Sequence, residues 1–363
     1  MSLVTPRLTT ALSIPDVREL IEGLLRAAGC PQDVATEAAD VFVEAELQGN
    51  WIQGLHYLHT QINSLRTGKI DPRGRPQVLR DGPAFAFLTG NRGPGQLAGN
   101  AACDLVCRKA SSAGCAAVGV TNSSDIFMLS YYAERITRHG LIAIVMINSP
   151  PTMHAVGGIE RTLGTNPFAF GVPTAGPHAV LFDTASSAEL SARVKIAAYY
   201  GETLAEDVAI DAQGRPTRDP TAALTGAVSP YGGAVGYGIA LMVAFISGCL
   251  LGNAVGQGQA EWSDLAAPRA NPKGHLYMAV HPEFFAGLHP FRKATSSYLQ
   301  KMAADPVATH KAAQIRVPGQ RAFEARRRAL TRGSVVIDEY VWEKTAALAS
   351  DLGVRLPLTT IIQ

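Results

Sequence analysis

The first third of the chain spaces its apolar residues at helical intervals. Over residues 14–48, Val17, Leu20, Ile21, Leu24 and Leu25 share one face, and Ala38, Val41, Phe42 and Ala45 share another, which predicts two amphipathic helices. HYLHTQINSLRTGKI continues as a third, ended by Gly68. From about residue 72 the texture changes to prolines, glycines and short β-branched runs, the mark of a boundary into a sheet-containing region. Strands are expected at 84–90, 116–123, 141–149 and 178–185, and a late one at 275–285. Helices are expected at 96–112, at 129–138 and over ELSARVKIAAYYG. Beyond the late strand the pattern is mostly helical again, through VWEKTAALASDLGV. Strands alternating with helices specify the α/β class. The expected organisation is a helical domain built from both chain ends, residues 1–72 with 290–363, around an α/β domain at 73–289 that holds the cleft.

Composition narrows the classes. A chain of 363 residues, 47% hydrophobic and 17% charged, can bury a large core as a soluble globular protein. A formal charge of +2 is too near neutral for a phosphate-tracking surface, so no nucleic acid is expected as a partner. The basic run Arg326-Arg327-Arg328, with Arg321 and Arg332, reads as a solvated helix face. Five scattered cysteines suit a reducing compartment, which points to the cytoplasm. Cys103 and Cys107 should share a buried helix face, and no metal site is expected. The first ten residues, MSLVTPRLTT, lack the apolar stretch of a signal peptide. YGIALMVAFISGCLLGNAVG, residues 237–256, is apolar for nearly the length of a membrane span, about 20 residues. Gly238, Gly248 and Gly252 interrupt it, so the expectation is a buried helix packing through small residues and no membrane partner.

Four turn-rich stretches carry candidate motifs, of which DAQGRPTRDP reads as a structural hairpin. In GNRGPGQLAGNAACDL (90–105), Gly93, Gly95 and Gly99 give G-x-G-x-x-x-G with Pro94 inside. That spacing departs from the dinucleotide fingerprint and predicts a tight strand-to-helix turn. TLGTNPFAFGVP (162–173) places a Gly-Thr-Asn-Pro turn between two apolar strands; its amides and asparagine suit a phosphate or amide-bearing ligand, or form a rigid corner. In DAQGRPTRDP (211–220), Asp211 and Asp219 are placed to cap their own turns. SPYGGAVGYG (229–238) puts four glycines before an apolar helix, whose positive end can face an anion.

Taken in this order, these stretches resemble, almost end to end, the malate/L-lactate dehydrogenase family, which also contains ureidoglycolate and sulfolactate dehydrogenases and piperideine-carboxylate reductases. The resemblance is carried by EAELQG with the loop after it, TNSSDIFMLSYYA, LGTNPFAFGVP, DTASS, DAQGRPTRDPTAAL, PYGGAVGYGIALM, GHLYMAVHPEFF and IRVPGQR. It implies a homodimer with a non-Rossmann, nicotinamide-binding mixed sheet of the malate/L-lactate (sulfolactate) dehydrogenase type, reducing 2-oxo or cyclic 2-imino acids. The cofactor contacts it implies are Asn122, Ser123, Gly164, Thr165, Asn166, Asp183, Ser186, Arg193, Gly232 and Gly233.

The same comparison shows departures. Where the family has Ser-His-Gly followed shortly by Arg, this chain has Ile52, Gln53, Gly54 and then Tyr57. The next family histidine and the glycine after it become Asp125 and Phe127, and Pro-Trp-Gly becomes Ala155-Val156-Gly157. A family lysine becomes Val235, a glutamate becomes Ala244, and Arg193 keeps the charge at another lysine position. Gln53 cannot deliver a proton at neutral pH, and Tyr57 cannot form a bidentate pair with a carboxylate.

Three readings stay open. The first is an NAD(P)H-linked oxidoreductase on a non-standard 2-oxo, 2-hydroxy or cyclic 2-imino acid. In it Asp125 serves as acid or base with its pKa raised by Ile126 and Phe127, and His56, Tyr57 or His154 supplies lost contacts. The second is a lyase, isomerase, cyclase or hydrolase that has lost the cofactor but uses Asp125 with Tyr57 or His56. The third is a non-catalytic homologue that binds a ligand or partner. Each residue has a plainer role as well: Asp125 as cap of the helix starting near Met128, His56 and His59 as polar-face residues, Tyr57 as packing.

Overall fold

The computed structural model describes residues 9–259, 272–305, 315–358 and 360–362. The expectation made on the first ten residues therefore lies largely outside the described residues, at 1–8. Strand β1 (Thr9–Ser13) pairs antiparallel with Ser334–Asp338 on one side and Thr360–Ile362 on the other, so the two chain ends meet in one three-stranded sheet. Ser13 ends that strand and caps α1 (Ile14–Ala27), its Oγ accepting from the Asp16 amide at 3.1 Å. Helix α2 (Gln32–Leu47) packs on α1, and the apolar faces expected of both are buried. Asp338 ends its strand in the same way, accepting from the Tyr340 amide at 3.0 Å and capping the C-terminal helix Glu339–Asp351. That helix packs against residues 52–56, the turn between α2 and α3 (Tyr57–Arg66).

The main sheet has seven strands. Its order is β2 (Gln77–Gly82), β3 (Phe85–Thr89), β4 (Cys115–Ser123), β12 (Lys273–Val280), β5 (Ile142–Ile147), β8 (Phe168–Val172) and β9 (Val180–Thr184). Only β3 and β4 run parallel, joined by helix α4 (Gly95–Ala113); the other neighbours are antiparallel. The late strand is shorter than expected: it stops at Val280, and Pro282–Phe284 form a 3-10 turn capped by His281. Proline has no amide hydrogen for the ladder, which explains the stop. Helix α5 (Leu129–Thr137) covers β5 and β8. A smaller sheet, β10 (Ala209–Ile210), β11 (Ala227–Val228), β6 (Pro151–His154) and β7 (Arg161–Gly164), has its own apolar cluster around Met153, Leu163, Val194 and Val228. The large cluster runs from Leu12 to Ala349 and ties the terminal helices to the main sheet.

Two expectations are corrected here. The apolar segment is not a buried helix: Ala234–Leu251, with mean hydropathy 2.1, is long and apolar enough to cross a membrane by length and composition, yet only 39% of it is buried. It is broken into α8 (Ala234–Val243), a π-turn and a 3-10 turn, and Val235, Met242, Phe245 and Leu250 are exposed. The basic run is not wholly solvated either, because Arg326 is drawn into the interior by Glu44 at 2.7 Å and Glu134 at 3.0 Å. Arg321, Arg327, Arg328 and Arg332 are exposed as expected.

Candidate active site

The loop after α2 is set by one buried carboxyl. Residues Ile52–His56 form a π-turn, interrupted at Gly54, whose ψ of −125° is not helical. The Leu55 amide donates to Glu46 Oε1 at 2.7 Å, and a Cβ at position 54 would overlap that same carboxylate. Glu46 is only 4% exposed, and its Oε2 has no partner among the described residues. Burial pushes its pKa up to about 8 against the opposing pull of the Leu55 amide. The loop delivers Gln53, half-buried, and Tyr57, the first residue of α3.

Asp125 arrives from the other side, on the loop between β4 and α5. The Ser124 hydroxyl accepts from the Gly95 amide at 2.8 Å and donates to the Gly93 carbonyl at 3.1 Å. A side chain at Gly95 would overlap the carbonyls of Ser124 and Asp125. The glycine-rich turn at 90–95 is thus a strand-to-helix turn, as expected, whose close approach braces the Asp125 loop. Phe127 has φ of 60°, a left-handed conformation that bulky residues avoid. Its ring lies 4.8 Å from that of Phe42 and 6.1 Å from that of Tyr57.

The group that sequence reasoning missed is Lys273. Its ammonium is bonded to Asp125 Oδ1, and it is 3% exposed while the Asp125 side chain is 28% exposed. Lys273 opens β12 opposite Ser123, at a register shift before His275, and such bulges re-aim side chains next to active sites. His275, fully buried, donates from Nε2 to the Ser124 carbonyl at 2.8 Å, and burial lowers its pKa to about 4. Asp125 therefore meets a cation as well as the apolar Ile126 and Phe127 expected beside it. Nor does it cap the following helix: Asp183 of β9 does, accepting from the Ser130 amide at 2.8 Å. The Tyr57 phenol has its pKa raised by burial and by the negative charge of Asp125, so it stays protonated.

The structure thus gathers Asp125, Lys273, Tyr57 and Phe127. The other expected residues are placed as follows. Asn122 adopts φ of 51° and donates from Nδ2 to Thr89 Oγ1 at 3.3 Å, while the buried Ser123 hydroxyl has no partner among the described residues. Asn166 is turned inward: its Oδ1 accepts from the Ser149 amide at 3.0 Å and its Nδ2 donates to the Ala240 carbonyl at 2.8 Å. A Cβ at Gly164 would overlap Ser149, and the Thr165 carbonyl accepts from the Ser186 hydroxyl at 2.7 Å, so this stretch is a rigid corner. Asp211 and Asp219 hold their own turns as expected. Arg193 is ion-paired with Glu202 at 2.6 Å. Gly232 and Gly233 are exposed, with φ of 57° and 59°, ahead of α8. His154, the last residue of β6, is bonded to Ser229 Oγ at 3.2 Å. His59 is within 3.1 Å of Thr345 Oγ1, and no metal-ligand cluster occurs among the described residues. Two cavities of about 570 and 510 Å³ lie elsewhere, beside His178 and Phe323 and beside Arg75 and Asn100; neither is lined by Asp125 or Lys273.

Residues 12–345 match the family profile described as malate/L-lactate dehydrogenase. L-sulfolactate dehydrogenase of Methanocaldococcus jannaschii is 30% identical over 93% of this chain and 96% of its own length. Ureidoglycolate dehydrogenase (NAD(+)) of Escherichia coli O157:H7 is 30% identical over 90% of this chain and 93% of its own. The crystal structure of delta1-piperideine-2-carboxylate reductase from Pseudomonas syringae superposes with a TM-score of 0.83 at 30% identity, over 93% of this chain and 99% of that one.

Proposed function

The chain belongs to the malate/L-lactate dehydrogenase family, and from that premise we propose that it is an NAD(P)H-linked oxidoreductase with a substituted active site. Its substrate is a non-standard 2-oxo, 2-hydroxy or cyclic 2-imino acid, and the imino acid suits the site best. The observation that carries this is the Asp125–Lys273 ion pair beside Tyr57.

Reduction of a ketone needs a proton donor at the oxygen, and the histidine expected for that is replaced by Gln53. An iminium already bears its proton on nitrogen, so losing the histidine costs it least. What an iminium requires is a nearby negative charge, and Asp125 offers one, with Lys273 bonded at Oδ1. Tyr57 and Phe127 provide apolar walls that exclude water, and the protonated phenol can donate a hydrogen bond to the substrate. The nicotinamide, when bound, supplies the hydride. Residues present fit such a cofactor: the Ser123 hydroxyl next to Asn122, without a partner among the described residues, and the exposed Gly232–Gly233 turn, where no described atom lies within 4 Å of a Cβ at Gly233.

The apolar face of residues 231–250 supports a homodimer, because Tyr231 at 64%, Val235 at 61% and Leu250 at 69% exposure need a cover, and a second copy supplies one. A reducing, cytoplasmic setting fits the free cysteines among the described residues.

The test is to titrate the purified protein with NADH and NADPH while following nicotinamide fluorescence, then to assay pyruvate and Δ1-piperideine-2-carboxylate by nicotinamide absorbance. Binding with preferential turnover of the cyclic imine is expected. Failure to bind either nucleotide would overturn the redox reading in favour of a non-redox enzyme, which the exposed Val235 at a family lysine position would then explain.

A further inference from the structure

The cavity of about 510 Å³ is polar and is built by α2, α4 and α5. Glu37 and Asp40 of α2, Asn100 and Asp104 of α4, Arg135 of α5 and Arg75, which precedes β2, line it. Asp33, Glu37 and Asp40 recur at i, i+4 and i+7, so their carboxylates share one face of α2. Three of the acids around the cavity are matched by guanidiniums: Asp40 by Arg18 at 2.7 Å, Asp33 by Arg75 at 2.6 Å and Asp104 by Arg135 at 2.8 Å. Glu37 is paired with no cation among the described residues, and its Oε1 accepts from Asn100 Nδ2 at 2.9 Å. That bond orients the Asn100 amide and leaves Oδ1 as a buried acceptor without a partner among the described residues, on a residue 6% exposed. Arg75 is its counterpart: Nη2 holds Asp33, while Nη1 is a buried donor without a partner among the described residues. A buried acceptor beside an unmatched carboxylate asks for a cationic donor, and a buried guanidinium donor asks for an anion.

We infer that this cavity binds a small zwitterionic amino acid, its ammonium on Glu37 and Asn100 Oδ1 and its carboxylate on Arg75 Nη1. Asp33, which holds the guanidinium, and Glu37 are one turn apart, about 6 Å along the axis of α2. An ammonium and a carboxylate on one carbon, with a hydrogen bond of about 3 Å at each end, bridge that separation. The buried Leu97, with Pro76, lines the same cavity and gives apolar cover to a short aliphatic side chain. Neither half of such a ligand suits the site alone. An amine leaves Arg75 Nη1 unmet, and a carboxylic acid brings a second negative charge towards Glu37 with nothing to offset it. The cavity shares no residue with the Asp125–Lys273 pair, so this inference stands or falls apart from the redox reading.

L-Valine is the probe, with isobutylamine and isovalerate as its two halves, and calorimetric titration of the full chain reads all three. Valine should bind, and each half should bind about tenfold more weakly, having lost one charge-assisted contact. Glu37→Gln, which keeps an acceptor for Asn100, and Arg75→Gln, at the other end, should each weaken valine binding about tenfold with the far-UV circular dichroism unchanged. Valine binding that survives intact in either variant overturns the proposal, because the ligand then sits elsewhere or uses one end only. Equal binding of valine and one of its halves, or no heat from valine, overturns it as well. Should a substitution disturb folding, the comparison of the three probes on the wild type still decides.

Discussion

Replacing Glu46 by Gln should make the protein more stable, and by an amount that grows with pH. Glu46 is 4% exposed and meets one backbone donor, with the folded-state pKa raised from 4.5 to about 8. Folding then favours the protonated carboxyl, so the stability this group contributes is full below pH 4.5 and is lost as pH rises towards 8. Each pH unit in that window removes about 1.4 kcal/mol, which amounts to about 3 kcal/mol at pH 7 and about 5 kcal/mol from pH 8 upward. Glutamine keeps an oxygen for the Leu55 amide and cannot ionise. Its amide nitrogen takes the Oε2 position, which has no partner among the described residues, and there carries one more donor than the protonated carboxyl, a cost that does not vary with pH. His56, His59 and His275, whose burial lowers each to about 4, act alike in both proteins and cancel. Urea denaturation at pH 5, 7 and 9 measures the difference, and Trp51, 5% exposed at the start of the π-turn, reports the loop by fluorescence. A gap that stays constant from pH 5 to 9, or a variant less stable at every pH, would refute the argument.

Asp125→Asn should abolish turnover, followed by nicotinamide absorbance; an active variant would reduce Asp125 to a structural residue. Gln53→His combined with Tyr57→Arg should restore measurable reduction of simple 2-oxo acids, and no gain despite NADPH binding would mean the pocket differs beyond those two positions. Removing the carboxyl that caps α5, in Asp183→Ala, should lower stability by about 1 kcal/mol with nucleotide affinity retained; a selective loss of nucleotide affinity would instead make Asp183 a cofactor contact.

The elements were legible wherever a local pattern specified them. The faces of α1 and α2, the strands at 85–89 and 115–123, and the caps at Asp211 and Asp219 depend on neighbours a few residues apart. The glycines that brace the site could be seen as turn formers, but not what they lean on: Gly54 and Gly95 admit Glu46 and the Asp125 loop by lacking a side chain. Lys273 was invisible because its partner is 148 residues away and the bulge that aims it is a property of the folded ladder. Glu46 reads as one more helix residue in EAELQG, and only the returning loop turns it into a buried carboxyl. The exposed face of the 234–251 segment was misread for a related reason, since an apolar helix that awaits a cover has the same composition as one already covered.

Phe127 bears on whether the substitutions are decay or redesign. Its φ of 60° is left-handed, and holding a bulky residue there costs of order 1–3 kcal/mol. Random loss of function has no reason to keep such a backbone, since the loop would relax once nothing depended on it. Instead the ring is packed between Phe42 and Tyr57, and the neighbouring Asp125 meets a buried lysine brought by another strand. With Lys273 3% exposed, much of its attraction to Asp125 is spent on desolvating the ammonium. Strain and desolvation are thus concentrated on one loop, which is what the catalytic role proposed for Asp125 requires.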